Sequence, residues 1–357
     1  MINKIVTLGD VCNKGSSNIA QKDLVDRDGI YPIYGAAGYI KNVDFAHQDK
    51  PYLAVVKDGA GIGRVMKLPA NSSIIGTMQY ILPKGNIDID YLYFALQYMN
   101  LSKYFSGSTI PHIYFRDYQK EKLPLPELSE QQRKAYVLLR IEQLIECYHQ
   151  QLTKLDELVK SRFVEMFGDP MTNPKGFPCY TVGEVIEFQG GSQPDKKYFE
   201  YKPTSDNIRL IQIRDYKSDK YITYIPRTMA KRFCTADDIM IGRYGPPIFQ
   251  ILKGIEGSFN VALMKATPRR GNREFVRQFL KQDCLLEYLE GLSKRTAGQD
   301  GIQMDKLKAY PFPFPPLELQ ERFAAFVAQT DKSKLVVQQS LEKLETLKKS
   351  LMQQYFG

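Results

Sequence analysis

Tryptophan is absent from this sequence, and histidine occurs only at His47, His112 and His149. The H-x-x-x-H spacing of many metal sites does not occur, and neither does a G-x-S-x-G nucleophile motif or a Walker phosphate loop. The commonest signatures of hydrolases and of nucleotide-dependent enzymes are therefore excluded.

Cysteine is scarce. The five cysteines are Cys12, Cys147, Cys179, Cys234 and Cys284. Their number is odd and none forms a C-x-x-C pair, which argues against a disulfide framework or a zinc site. Long apolar runs are missing too, since none approaches the roughly 18 residues of a membrane span. The first residues read as a strand and not as a signal peptide, so we expect a cytoplasmic protein.

What the sequence does have is length and positive charge. Its 357 residues exceed one simple core and favour two domains. The apolar fraction of 43% and the charged fraction of 25% are ordinary for a globular protein. The net charge of +9 favours a polyanionic partner such as nucleic acid.

The chain repeats itself internally. The run Leu123–Arg133 (LPLPELSEQQR) reappears as Phe312–Arg322 (FPFPPLELQER), and Arg133 and Arg322 lie 322 − 133 = 189 positions apart. The same offset superimposes Leu152 on Leu341, Leu155 on Leu344, Leu158 on Leu347, Ser161 on Ser350 and Phe167-Gly168 on Phe356-Gly357. Earlier echoes drift in offset: Leu8–Val11 with Val182–Val185, Lys57–Gly59 with Arg243–Gly245, and Gly76–Gln79 with Gly257–Asn260. Each half thus has a divergent first part and a matched last part.

The matched parts are predicted to be long helices. No Gly or Pro occurs from Glu130 to Met166, and apolar residues step by three and four in a coiled-coil seam. Ser129 with Gln132 forms a possible capping box, and Gly168 and Pro170 end the helix. The first seam comprises Leu138, Ile141, Ile145, Tyr148, Leu152, Leu155 and Val159, and the second Val337, Leu341, Leu344 and Leu351.

Two alternatives remain open for these helices. They could pack only on their own domains and not on each other. In addition, Lys334 and Lys348 occupy the places of Ile145 and Val159, which weakens a simple two-helix seam. Either the helix pair is asymmetric, or the end of the second helix faces solvent or a partner.

The divergent parts are predicted to hold β-hairpins with Gly-rich loops. Tyr52–Val56 and Arg64–Leu68 flank one such loop, and Ile239–Ile241 and Ile248–Leu252 flank another. Helices are expected from Tyr91 to Tyr104 and from Glu274 to Leu292.

Two runs weakly suggest enzymes. Gly59–Gly63 has dinucleotide-like glycine spacing, but a strand follows it where a helix is required. Gly245–Ile248 is faintly similar to the polar-Pro-Pro-aromatic motif of amino-methyltransferases, yet lacks both the polar and the aromatic residue. A fused modification enzyme is therefore disfavoured, and no catalytic or metal residue is assigned.

Taken together, the run YPIYGAAG at Tyr31–Gly38, the Lys57–Arg64 loop, the LPLPELSEQQR junction and the duplicated endings at Leu155–Phe167 and Leu344–Phe356 resemble specificity subunits of type I restriction-modification systems. The resemblance covers essentially the whole chain. It implies an α+β fold with two mixed α/β target-recognition domains, joined by two long antiparallel coiled-coil helices in a pseudo-twofold internal repeat. The implied boundaries are 1–127 and 169–316 for the domains, and 128–168 and 317–357 for the helices.

The resemblance also implies a function. The chain would read a bipartite, non-palindromic site in double-stranded DNA and would catalyse nothing itself. Two methyltransferase subunits would dock on the helices, and restriction/translocase subunits would join through them. S-adenosylmethionine, ATP and magnesium would be bound only by those partners. The alternative is an assembly or decoy protein of the same architecture without DNA readout.

Candidate DNA contacts lie on loops, where Arg, Asn and Gln suit bases and Lys, Ser and Thr suit phosphates. In the first domain they are Lys57, Arg64, Thr77, Gln79, Ser106, Ser108, Thr109, His112 and Tyr114. In the second they are Arg243, Tyr244, Asn260, Lys294, Arg295, Thr296, Gln299 and Gln303. Candidates for the coiled coil and subunit docking are Ile141, Ile145, Tyr148, Leu152, Leu155, Val337, Leu341, Leu344 and Leu351.

Overall fold

The chain divides into two compact units. The computed structural model describes residues 4–107, 111–244, 248–293 and 302–357. The first unit comprises Met1–Gln150 together with Val337–Gly357, and the second comprises Gln151–Val336. Each unit therefore draws on both halves of the repeat.

The first unit is a mixed α/β structure. Its strands are β1 (Lys4–Thr7), β2 (Cys12–Ser16), β3 (Tyr31–Gly35), β4 (Gly38–Val43), β5 (Tyr52–Val56), β6 (Val65–Leu68), β7 (Ser73–Ile74), β8 (Met78–Pro83) and β9 (Lys122–Leu125). Its helices are α1 (Leu8–Val11), α2 (Ile89–Met99) and α3 (Phe115–Tyr118), with 3-10 turns at Gln21–Leu24 and Leu101–Tyr104. A fourth helix, α4 (Leu128–Phe167), begins in this unit.

Three sheets order these strands: β2-β8-β5-β6, β4-β3-β7 and β1-β9. Strand β5 is buried along its whole length because both of its faces are covered. Leu53 and Val55 join the main core, which contains α2, whereas Tyr52 and Ala54 face a second cluster. This is why its sequence is a continuous apolar run and not an alternation.

The second unit repeats this plan. Its strands are β10 (Cys179–Thr181), β11 (Ile186–Gly190), β12 (Asn207–Ile211), β13 (Tyr224–Pro226), β14 (Phe233–Cys234), β15 (Ile239–Gly242), β16 (Gln250–Lys253), β17 (Gly257–Phe259), β18 (Leu263–Pro268) and β19 (Pro311–Pro313). Its helices are α5 (Val182–Val185), α6 (Arg273–Leu280), α7 (Asp283–Ser293), α8 (Met304–Ala309) and the start of α9 (Leu317–Phe356). Its 3-10 turns are Lys196–Tyr198, Ile213–Tyr216, Asp219–Tyr221 and Arg227–Met229.

The sheet orders of the second unit match those of the first, with one added edge strand, β14. They are β11-β18-β15-β16, β13-β12-β17-β14 and β10-β19. In both units one sheet also contains a short parallel pair, β3 with β7 and β12 with β17. The weak echoes of sequence before the long helices therefore belong to a common fold.

The long helices α4 and α9 each contribute to both cores. In the first unit, Leu138 of α4 packs in the same cluster as Met352 and Phe356 of α9. In the second unit, Phe163 and Phe167 of α4 pack in the same cluster as Phe323 and Val327 of α9. Each core therefore contains the beginning of one long helix and the end of the other. The alternative in which each helix packs only on its own half is wrong.

Ion pairs join the two helices in each unit. Lys348 Nζ lies 2.6 Å from Glu142 Oε1 in the first unit, and Lys334 Nζ lies 2.6 Å from Asp156 Oδ1 in the second. Between the pairs, α4 advances 156 − 142 = 14 residues and α9 goes back 348 − 334 = 14. The helices are antiparallel, as the predicted fold class requires. The seam lysines are accommodated by α4 carboxylates, so the helix pair is asymmetric.

A buried glutamine ties each long helix to its unit. Gln131 Nε2 donates to the Pro126 carbonyl at 2.8 Å, and Gln131 Oε1 accepts from the Asp88 amide at 2.8 Å. Gln320, 320 − 131 = 189 positions later, does the same with Pro315 at 2.7 Å and Asn272 at 2.8 Å. Asp88 and Asn272 are the N-cap residues of α2 and α6.

Several predicted boundaries need correction. Helix α4 starts at Leu128, so Ser129 lies inside its first turn and does not cap it with Gln132. The helix expected from Tyr91 to Tyr104 breaks at Asn100, whose φ of 49° ends α2. The helix expected from Glu274 is two helices, α6 and α7.

The two predicted hairpins and the predicted end of α4 at Gly168 are confirmed. Strands β5 and β6 form an antiparallel hairpin, and so do β15 and β16. The amide of Gly168, in a left-handed conformation with φ of 78°, caps α4 by donating to Val164. Among the described residues, no helix has the length and apolar character required to cross a bilayer.

Candidate nucleic-acid interface

The loop between β5 and β6 is built by glycines. Gly59, Gly61 and Gly63 all have φ between 80° and 85°, where residues with a side chain are strained. At Gly63 a Cβ would also lie 2.5 Å from the Ser102 amide nitrogen. The amide of Gly63 donates to the Val56 carbonyl at 2.8 Å and closes the loop. The glycine spacing therefore serves a hairpin turn and not a dinucleotide site.

A charged and aromatic cluster lies at the base of this loop. Lys57 Nζ is 2.7 Å from Asp58 Oδ2, and the other Asp58 oxygen accepts a hydrogen bond from His112 Nδ1. The His112 ring packs on Tyr114 with centroids 4.1 Å apart. The Arg116 guanidinium lies 4.7 Å from the Tyr114 ring centroid. We call these five residues the histidine cluster.

Main-chain hydrogen bonds assemble the cluster from three segments. The amides of Lys57 and Asp58 donate to the Thr77 carbonyl at 3.0 and 3.3 Å. Ser106 and His112 exchange amide-to-carbonyl bonds of 2.8 and 2.9 Å. Three predicted contacts, Lys57, His112 and Tyr114, thus come together within the cluster, with Thr77 and Ser106 bonded to it.

Burial shifts the pKa of two of these groups, Lys57 and His112. It lowers the pKa of Lys57, while Tyr114 acts in the opposite direction. It also lowers the pKa of His112, and the positive charge of Lys57 lowers it further. His112 is therefore predominantly neutral at pH 7, with Nδ1 carrying its proton toward the acceptor-only carboxylate.

The remaining candidate DNA contacts of the first unit differ in their exposure to solvent. Arg64 and Thr77 are exposed at the loop. Gln79 is buried, and its Oε1 accepts a 2.6 Å hydrogen bond from the Tyr118 hydroxyl. This core hydrogen bond removes Gln79 from the candidate DNA contacts. Ser108 and Thr109 lie outside the described residues.

The corresponding place in the second unit has different chemistry. Arg243 follows β15, and its guanidinium lies 5.3 Å from the ring centroid of the exposed Tyr244. Asn260 is buried, and its Oδ1 accepts from the Ala262 amide at 3.2 Å. Asn260 is therefore also removed from the candidate contacts. Gln303 is half-buried and precedes α8.

The rest of the second-unit prediction cannot be placed. Lys294, Arg295, Thr296 and Gln299 lie outside the described residues. The sequence-based assignment of these residues stays a prediction.

Sequence reasoning missed several residues. Asp58 organises the histidine cluster, and its position between Lys57 and a glycine is the only signal available in the sequence. In the second unit, Tyr201, Tyr221 and Tyr224 line a cavity of about 470 Å³ together with Arg214 and Lys220. Tyr201 and Tyr221 are 73% and 57% exposed. Exposed tyrosines beside cations suit contact with nucleic acid.

The predicted docking residues occupy the long helices as follows. Ile141, Val337 and Leu341 are buried, whereas Ile145, Tyr148, Leu152, Leu155, Leu344 and Leu351 are half-buried. Leu158 and Leu347, which are equivalent in the repeat, are 48% and 46% exposed. The first unit therefore has the exposed Leu347 on α9, and the second unit has the equivalent exposed Leu158 on α4. In the part of the chain that the structure describes, no group of acidic, His and Cys residues could hold a metal ion.

Two copies of one domain account for this arrangement. The model of the type I restriction modification DNA specificity domain matches residues 3–157 and again residues 174–346. The chain belongs to this family, which confirms the resemblance seen in its sequence.

Relatives agree with this assignment. The sequence is 24% identical over 330 residues to the type I restriction enzyme MjaVIII specificity subunit of Methanocaldococcus jannaschii, covering 83% of this chain and 76% of that one. It is 24% identical over 301 residues to a putative MjaX specificity subunit of the same organism, covering 75% and 67%.

Solved structures show the same fold. The S subunit of a type I restriction-modification system from M. genitalium gives a TM-score of 0.61 at 16% identity, covering 99% of this chain and 96% of that one. A chain from a study of complex assembly and conformational transition in a type I R-M system gives 0.55 at 16% identity, covering 99% and 98%.

Proposed function

We propose that this chain is the DNA-binding specificity subunit of a type I restriction-modification complex and that it recognises a bipartite, non-palindromic site. The observation that carries the proposal is that the chain contains two family domains with corresponding strand orders but different loops. Two diverged loops present different side chains to two half-sites, so the halves of the site differ in sequence.

The chain itself catalyses nothing in this proposal. Two methyltransferase subunits dock on the long helices, and restriction/translocase subunits join through them. S-adenosylmethionine, ATP and magnesium are bound by those partners. The matched exposed leucines Leu158 and Leu347 support two copies of one partner, because equivalent positions present equivalent contacts.

The test is co-expression with the cognate methyltransferase subunit, followed by mapping of methylated adenines in host DNA. The expected result is a bipartite motif with a fixed gap. Exchange of residues 1–127 for those of another family member should change one half of the motif only. A stable complex that methylates no defined motif would contradict the proposal and would favour the assembly or decoy role.

Docking has its own control. Leu158→Asp with Leu347→Asp places two charges at the proposed contact and should abolish co-purification of the methyltransferase subunit. Lys154→Asp with Lys343→Asp, at exposed and equivalent positions of α4 and α9, should leave co-purification intact. Equal binding by both double variants would remove these leucines from the docking surface.

A further inference from the structure

The histidine cluster holds His112 more rigidly than a contact with phosphate alone requires. Its amide and carbonyl both pair with Ser106, and the amide of the next residue, Ile113, donates to the Lys57 carbonyl at 3.0 Å. The ring is packed against Tyr114 on one side. A surface loop residue that only approaches the DNA backbone does not need this much support, whereas a base contact requires a fixed side chain.

The hydrogen bond to Asp58 also fixes the ring's tautomer. A carboxylate only accepts hydrogen bonds, so Nδ1 carries the proton that points to it. Lys57 keeps that carboxylate in place through its 2.7 Å ion pair. The ring is neutral at pH 7 because burial and Lys57 lower the pKa of His112. The remaining nitrogen, Nε2, is then an acceptor without a proton.

An acceptor fixed in this way can sort bases by one property. In the major groove, adenine N6 and cytosine N4 are amino donors, whereas guanine O6 and thymine O4 are acceptors. An imidazole Nε2 without a proton attracts the first pair and repels the second. The charged groups around the ring are Asp58, Lys57 and Arg116, the last of them across Tyr114.

We propose that His112, with its tautomer fixed by Asp58, selects an amino-bearing base over a keto-bearing base at one position of the half-site read by the first unit. The inference rests on the proposed function and adds the chemical class of one recognised base. His112 contacts the base, and Asp58 is a positioning residue.

The experiment maps methylated motifs for the wild-type complex and for His112→Ala, His112→Asn, Asp58→Asn and Asp44→Asn. Asp44 forms a surface ion pair with Arg27 at 3.0 Å in the same unit and is the matched control for Asp58. In the wild type, one position of the first half-site should accept only adenine or cytosine on one strand.

Each variant has a distinct expected result. His112→Ala should reduce base discrimination at that position about tenfold, the effect of losing one base contact. His112→Asn offers both a donor and an acceptor and should give amino and keto bases in comparable numbers. Asp58→Asn can donate to Nδ1, which moves the ring proton to Nε2 and should admit the keto base. Asp44→Asn should keep the wild-type motif.

The outcomes separate the two proposals. An unchanged second half-site in each variant shows that the complex has folded and assembled. If His112→Ala does not assemble, His112→Asn and Asp58→Asn carry the test. A wild-type motif in either of those variants would overturn the role of His112. A wild-type complex without a bipartite motif would overturn the proposed function, and this inference with it.

Discussion

The two units share a frame but differ where the frame presents side chains. Gln131 and Gln320 make the same two hydrogen bonds in both units. At the hairpin loop, however, the first unit has the histidine cluster, whereas the second has Arg243 beside Tyr244. Contacts that position the recognition loops are thus kept, while the loops themselves are free to diverge.

The largest expected effect tests whether each core depends on the end of the long helix that starts in the other unit. Phe356 packs against Tyr91 in the first unit with centroids 5.0 Å apart, and Phe167 packs against Phe275 in the second at 4.8 Å. Phe356→Ala should destabilise the first unit by about 3–5 kcal/mol, the cost of emptying a buried phenylalanine site. Hydrogen exchange should show faster amide exchange in β5 and α2.

Phe167→Ala is the matched control, at the equivalent position of the repeat. It should accelerate exchange in β15 and β18 and leave β5 protected. If Phe356→Ala instead accelerated amide hydrogen exchange in the second unit, it would contradict the packing of the end of α9 in the core of the first unit.

A smaller effect tests whether the two buried glutamines, Gln131 and Gln320, stabilise their units equally. Gln131→Ala leaves the Pro126 carbonyl and the Asp88 amide without their side-chain partner and should cost about 2 kcal/mol. Gln320→Ala should cost a similar amount, because its two hydrogen bonds have nearly the same lengths. Urea denaturation monitored within each unit measures both. A difference of more than about 1 kcal/mol would mean that the two junctions are not equivalent.

The smallest effect concerns the asymmetry of the helix pair. A double-mutant cycle on Glu142 and Lys348, with Glu142→Gln and Lys348→Met, should give a coupling of about 0.2–1 kcal/mol, since both side chains are partly exposed. The cycle on Asp156 and Lys334 should give less, because Asp156 is 68% exposed. A stronger coupling in the second pair would reverse this ranking.

The two long helices and the two hairpins could be predicted from the sequence, because they follow from its internal repeat and its apolar periodicity. The 189-residue offset and the coiled-coil spacing located α4 and α9 to within one or two residues. The two hairpins followed from apolar runs around glycine loops. The end of α2 at Asn100 was not accessible from the apolar periodicity, since an asparagine in a left-handed conformation does not interrupt that pattern.

The candidate site was accessible only in part. Loop position and residue type pointed to Lys57, His112 and Tyr114, which the fold brings together. The same reasoning chose Gln79 and Asn260, whose side chains turn inward and bond within the protein. It missed Asp58, because its contact with His112 spans 54 residues and depends on how β5 and the segment after Ser106 are paired.

The packing of the end of α9 in the core of the first unit also has a consequence for protein synthesis. The core of the first unit includes Met352 and Phe356, yet the 336 − 150 = 186 residues of the second unit are translated in between. At about 5–20 residues per second, the first unit waits roughly 10–40 s for the segment that completes it. During that interval the nascent chain exposes an apolar surface beside α2, so the first unit finishes folding only after the second has emerged from the ribosome.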